Sequence, residues 1–253
     1  MSFHHLDRFA SVRSPVTRLH AVSRLAGTVI LALGAATLPQ GAWVQLAALG
    51  AVVLGIAVVA RIPPAVMARR TLWPLAFVVA GSFLLPLVVP GRPIAHAGPL
   101  TVSDAGILRF ATVVGRAAVA LGAAVLLVST TAFPELLQAL RRLRLPPVVT
   151  ASLGLGYRLL YILMEEIERL GRAARSRNAG AGAAHRRRLL VGIAAAVLGR
   201  ALARGERTHR AMLARGYDGD LPGLHDRAPA AADAAALTGL AAAVAAIALW
   251  ART

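Results

Sequence analysis

The sequence predicts an all-α polytopic membrane protein of about five transmembrane helices, with a cytoplasmic helical domain inserted before the last span. Three observations carry this. Hydrophobic residues make up 57% of the 253-residue chain and charged residues only 15%, with a mean hydropathy of +0.66. Soluble domains run at roughly 45–50% apolar and 25% charged. Yet the net charge is +17, from 28 basic residues that are all Arg. A chain both apolar and basic must separate the two along its length, and here apolar stretches alternate with arginine-bearing connections.

The apolar stretches are 25–38, 42–60, 72–89 and 105–130 in the first half, and 228–250 at the end. Spanning takes roughly 20 apolar residues, so the first is short. Running it back through Arg24 towards Leu19 completes it, with the arginines snorkelling to the interface. Pro74 and Pro86 lie inside the third stretch, where neighbouring helices can satisfy the carbonyls that proline frees. Trp43, Trp73 and Trp250 fall at segment ends, as interfacial anchors do. A cleavable signal peptide is not expected, because no small-residue cleavage site and polar mature domain follow the first apolar stretch. With no cysteine in the chain, disulfides, zinc-thiolate sites and iron–sulfur clusters are excluded.

Arginine placement sets the expected orientation. Arg8, Arg13, Arg18 and Arg24 precede or open the first span, and Arg61, Arg69 and Arg70 occupy the second connection. The first connection, 39–41, has no charge, and the third, 90–104, has only Arg92 and Asp104. The N-terminus is therefore predicted to be cytoplasmic and the C-terminus external. The organisation is a four-span bundle over 1–131, cytoplasmic helices over 132–227 and a final span over 228–253. The insert holds 17 arginines against eight acids, a net of +9. Arg116 stands well inside the fourth span, where an arginine costs about 2.5–3.5 kcal/mol on insertion scales. It is either a hydrogen-bonder within the bundle or a contact with a partner subunit.

The insert reads as three helices. Pro134 and Glu135 suit a helix start, since proline fits the first turn and an acid the positive end of the dipole. Arg141, Arg142 and Arg144 crowd its end, and Pro146-Pro147 breaks it and starts a second helix running to about Arg175. There Tyr157, Tyr161, Met164 and Ile167 recur at helical spacing, and Glu165/Arg169 and Glu168/Arg172 are i,i+4 pairs. A Gly/Ala turn over 178–184 and a basic cluster over 185–188 lead into a third helix, from about Arg186 to Ala214. This helix carries a stripe of Arg200, Arg204 and Arg207, and Gly216 is its natural left-handed cap.

The two long helices end alike, in Ala174-Arg175-Ser176 and Ala214-Arg215-Gly216. Each is a rigid rod with a guanidinium at its tip. Such a fork grips a carboxylate on another protein bidentately; equally, it can serve its own helix dipole.

Several features together resemble the transmembrane T component of energy-coupling factor transporters (the EcfT family). Ser14-Pro-Val-Thr-Arg-Leu-His20 is similar to that family's lead-in to the first span. Thr130-Thr131 through Glu135 to Pro146 is similar to its Thr-Thr…Glu-Leu…Leu-Pro run, and Tyr157-Arg158 to its Tyr-Arg pair. The two Ala-Arg-X tripeptides fall where its coupling motifs fall, and the run from Ala211 to Gly219 most resembles the cobalt branch, the CbiQ type. The first tripeptide departs from the pattern, with Ser176 in place of glycine, which implies a less sharply ended helix. The resemblance implies a subunit without catalytic residues, cofactors or metal of its own, since ATP and Mg belong to two cytoplasmic ATPase subunits. Arg175 and Arg215 would engage acidic grooves on those ATPases, and a membrane substrate-binding subunit would be the third partner. The cargo would be cobalt or nickel, with a vitamin or another substrate as the alternative.

Other classes leave weaker traces. A membrane enzyme acting at the cytoplasmic face needs clustered acids or a nucleophile with its base, whereas Glu165, Glu166 and Glu168 sit among arginines and Ser129-Thr130-Thr131 reads as a helix end. No Walker A glycine loop is present. The seven histidines are scattered, so no metal site is expected on this chain. The basic insert could touch anionic lipid at the bilayer surface, but it lacks the aromatic platform that nucleic acid would need.

Overall fold

The computed structural model describes residues 14–97, 100–177, 182–219 and 230–251, with backbone alone at 93–97, 100–102, 177 and 183–188. The described elements are helical apart from one hairpin. In order they are α1 (Pro15–Arg18), α2 (Ala21–Thr37), α3 (Trp43–Val59), α4 (Pro64–Ser82), α5 (Leu85–Val88), β1 (Pro93–Ala97), β2 (Leu100–Ser103), α6 (Asp104–Thr130), α7 (Phe133–Arg142), α8 (Pro147–Arg177), α9 (Ala183–Leu213) and α10 (Ala231–Trp250). The all-α polytopic class is as predicted. The stretch Pro64–Val88, α6, α10 and also Pro147–Ser176 of α8 are each long and apolar enough to cross a membrane. At 17 residues each, α2 and α3 reach about 26 Å at 1.5 Å per residue, just short of the roughly 30 Å hydrocarbon core.

The chain divides into two compact units, Leu140–His225 and the remainder, with the boundary inside α7. The larger unit is the helix bundle, and α6 is its centre, packed by α2, α3, α4 and α5. Its core joins Leu31 and Ala35 of α2, Leu49 and Val53 of α3, and Ala123 and Leu126 of α6. Small residues let the helices close together, as they do between membrane helices. A methyl placed on Gly122 of α6 would lie 3.2 Å from Val53 Cγ1, and one on Gly34 of α2 would lie 2.3 Å from Val244 Cγ1 of α10. The other unit contains α8 and α9, which pack on each other.

Several sequence expectations are refined. The third apolar stretch begins at Pro64 rather than 72, so Trp73 lies within α4, 76% exposed, instead of at its end. The chain breaks at Phe83–Leu84, ahead of Pro86, while Pro74 stays inside α4. The third connection folds as the antiparallel hairpin β1–β2, pairing His96 with Thr101 and carrying an irregularity between Pro93 and Ala95. Ser103 Oγ then donates to the Val89 carbonyl at 2.6 Å and accepts from Gly106 N at 3.0 Å, tying the hairpin to the start of α6. Arg8, Arg13, His4, His5, His225 and the turn at 178–181 lie outside the described residues.

The Arg24 side chain is 6% exposed. It donates to the Thr130 carbonyl, to Thr131 Oγ1 at 3.1 Å and to Glu135 Oε2 at 2.6 Å. A guanidinium so little exposed is tolerable once its donors are satisfied, and the end of α6 supplies acceptors.

Candidate functional site

The candidate site is the C-terminal ends of α8 and α9, and local chemistry decides each end separately. In α9 the last turn closes on glycine. Gly216 has φ +82°, a left-handed conformation that costs an L-residue with a Cβ about 1–2 kcal/mol. Gly216 N donates to the Leu213 carbonyl and Tyr217 N to the Met212 carbonyl, each at 3.0 Å. This pair of bonds is a Schellman closure. The carbonyls of Met212 and Leu213 are thus satisfied by backbone, and the Arg215 side chain is exposed.

The end of α8 differs. Helix continues through Ala174, Arg175 and Ser176 to Arg177. Ser176 Oγ donates to the Ala173 carbonyl at 2.9 Å, a back-bond within the last turn. Arg175 is exposed, and its Nη1 would lie 3.7 Å from a methyl placed on Gly171. Its guanidinium therefore lies back along its own helix one turn earlier. Having Ser176 where the other tip has Gly216 accounts for the contrast: only glycine turns left-handed without penalty, and without that turn the helix runs on.

Between the tips the helices are tied by one acid. Glu166 of α8, its side chain 13% exposed, pairs with Arg169 on its own helix and with Arg200 across on α9. The i,i+4 expectation therefore holds for Glu168 and Arg172, at 3.6 Å, while Arg169 turns to Glu166 at i−3 instead of Glu165. A polar cavity of about 500 Å³ opens here, lined by Ile162, Glu165, Glu166, Glu168, Arg169, Arg172 and Arg204. Neither tip arginine lines it. Each lies beyond the meeting point along its own axis, by about 14 Å for Arg175 and about 22 Å for Arg215 at 1.5 Å per residue. Two separate contact points, one per helix, are what this arrangement offers. Upstream on α8, Tyr157 is half-buried, its hydroxyl 2.7 Å from that of Tyr161 with the rings edge-on at 5.0 Å. Arg158 is exposed.

Arg116 donates through Nη2 to the carbonyl of Leu38, the residue that caps α2, while its buried Nε meets no partner among the described residues. Because α2 is short, its last carbonyls sit within the bundle and need a donor. A residue that sequence reasoning passed over is Asp233, 6% exposed in the first turn of α10. Its Oδ1 accepts from His20 N and its Oδ2 from Ala230 N, both at 2.7 Å. One carboxylate thus serves the starts of α2 and α10. The signal was available as the lone acid of the last span. Among the described residues, no three histidine or carboxylate side chains converge as metal ligands.

Comparison with known proteins covers most of the chain. The profile of the CbiQ family, described as cobalt transport protein, matches residues 13–224. The cobalt transport protein CbiQ of Rhodobacter capsulatus is 33% identical over 238 residues, 91% of each chain. With its long apolar helices, this multi-pass membrane protein belongs to the CbiQ family of cobalt transport proteins.

Proposed function

We propose that the chain is the energy-coupling membrane subunit of a cobalt importer, set in the inner (plasma) membrane with its N-terminus cytoplasmic. It catalyses nothing itself. Two partner ATPases bind and hydrolyse ATP, and a membrane partner binds the ion. The observation that carries this reading is the pair of exposed arginines, Arg175 and Arg215, at the ends of two long helices held together by Glu166. Ala174-Arg175-Ser176 and Ala214-Arg215-Gly216 each present a fork that binds one carboxylate bidentately and stays charged at any cellular pH. Pulling on both tips moves a rod as a rigid body, which is how a small motion at an ATPase reaches a distant partner. Tyr157 and Arg158 lie on the same rod, and Arg116 acts inside the bundle.

The orientation follows from charge. Arg24 and Arg70 both bond to the end of α6, Arg70 through Ser129 Oγ at 3.2 Å, so arginines from α2 and α4 collect at one end of the bundle. That end faces the cytoplasm. The same rule argues that α8 does not cross, despite its length. Arg141, Arg142 and Arg144 precede it and Arg169, Arg172, Arg175 and Arg177 close it, so a crossing would leave one basic flank outside.

The test is ATP-dependent cobalt uptake into vesicles containing this chain with its ATPase and ion-binding partners. Arg175→Glu with Arg215→Glu should abolish uptake and co-purification of the ATPases while the chain still inserts and folds. Retention of both would leave the arginines as ornaments of their helices and defeat the reading.

A further inference from the structure

Resting on that functional reading, we propose that Arg24 is a positioning residue for energy coupling: it clamps the α6–α7 junction and so fixes the direction in which α7 leaves α6. The chain passes from one compact unit to the other within α7, and its return falls at residues 225–226, outside the described residues. Just before α7, the helix ladder is interrupted. Thr131 is extended, with φ −125° and ψ 119°, and only Thr131 and Ala132 separate α6 from α7. No continuous run of helical bonds sets the angle between them.

Arg24 supplies what the ladder does not. Its fork reaches the last residue of α6 through the Thr130 carbonyl, the linker through Thr131 Oγ1, and the first turn of α7 through Glu135. Its own position is fixed by Nε donating to the Leu19 carbonyl at 3.2 Å. One planar group thus ties three consecutive pieces of chain to the start of α2, and α2 is in turn held to α10 through His20 and Asp233. The Arg24 side chain is 6% exposed whereas Glu135 is 50% exposed. The fork is therefore anchored in the bundle and grips α7 at its accessible side. A lysine has three donors, but all on one nitrogen, so it could not reach the Leu19 carbonyl, the end of α6 and Glu135 together as the three guanidinium nitrogens do.

The consequence is specific. With the clamp released, the ATPases would still bind the tips and hydrolyse ATP, but movement passed along α7 would be absorbed by bending at Thr131–Ala132. Uptake per ATP should fall, rather than ATP hydrolysis itself.

Two readouts test this. In vesicles carrying the complete transporter, Arg24→Gln should lower the ratio of cobalt taken up to ATP hydrolysed by at least about fivefold, the lower end of ordinary coupling between sites. Arg24→Lys should fall between Arg24→Gln and wild type. An unchanged ratio in Arg24→Gln overturns the proposal. Should Arg24→Gln not fold, Glu135→Gln at the accessible end of the clamp takes its place, with a reduced ratio expected and an unchanged one again fatal. Independently of transport, the cysteine-free chain can be spin-labelled at Val128→Cys on α6 and Gln138→Cys on α7. The distance distribution should be narrow in the parent and broad with Arg24→Gln. A narrow distribution in both refutes the clamp outright. Broadening in a chain whose wild type shows no cobalt uptake would mean that the functional reading, not the clamp, had failed.

Discussion

Replacing Gly34 with alanine tests the packing of α2 on α10. The added methyl would sit 2.3 Å from Val244 Cγ1 and 3.7 Å from Val244 Cβ, whereas ordinary carbon contacts begin near 3.5 Å. One atom must therefore retreat by about 1 Å, and Val244 is poorly able to do so. It is 6% exposed, and a β-branched side chain on a helix has one strongly preferred rotamer. Overpacking of this kind costs roughly 1–3 kcal/mol. Against it stands a gain of about 0.8–1.0 kcal/mol for alanine over glycine inside a helix. Gly239 of α10 supplies the control, because a methyl there meets nothing within 4 Å and shows the propensity gain alone. The difference between Gly34→Ala and Gly239→Ala should then be the clash itself. At about 2–4 °C per kcal/mol for a chain of this size, the two melting temperatures in detergent should differ by roughly 2–12 °C. Val244→Ala added to Gly34→Ala should restore most of the loss, a coupling that only direct contact explains. Equal melting of the two single variants, or failure of the rescue, would refute the α2–α10 packing.

Further outcomes follow from other contacts. Asp233→Ala strands the His20 and Ala230 amides; at about 1.5–3 kcal/mol per hydrogen bond to a charged group it should lower thermal stability sharply, with Asp233→Asn recovering part of the loss. Arg116→Met should ease insertion of α6, by up to about 2.5–3.5 kcal/mol, yet lower the melting temperature of the folded chain, because the Leu38 carbonyl loses its donor; changes of the same sign in both assays would contradict the bundle role. Gly216→Ala should fray the end of α9, accelerating amide exchange at Gly216's neighbour Tyr217 by roughly 5–30-fold for a 1–2 kcal/mol penalty, and weaken ATPase binding alongside. Single cysteines at Leu143 and Ser176 should react with an impermeant maleimide from the same side of the membrane; labelling from opposite sides would mean that α8 crosses.

How much of this was legible beforehand can be seen residue by residue. Local information set the helices. Pro146-Pro147 separated α7 from α8, and glycine at position 216 set the end of α9, because a proline's missing N–H and a glycine's freedom at positive φ act on their own turn of chain. Apolar helices formed over the expected stretches, with the third extended back to Pro64, because membrane solubility is read from composition over about 20 residues. The tip contrast was also foreshadowed: serine at 176 does not turn left-handed, and α8 runs on.

What only the tertiary structure decided is where the few charges of the bundle go. Arg24 finds Thr130 at a separation of 106 residues, Arg116 finds Leu38 at 78, and His20 finds Asp233 at 213. Nothing in the sequence around Arg24, Arg116 or Asp233 names these partners. A charge near the membrane is settled by whichever acceptor or donor the fold brings within about 3 Å, since its desolvation is tolerable only when it is matched. That match depends on which helices become neighbours, a property of the packed bundle that no window of sequence contains.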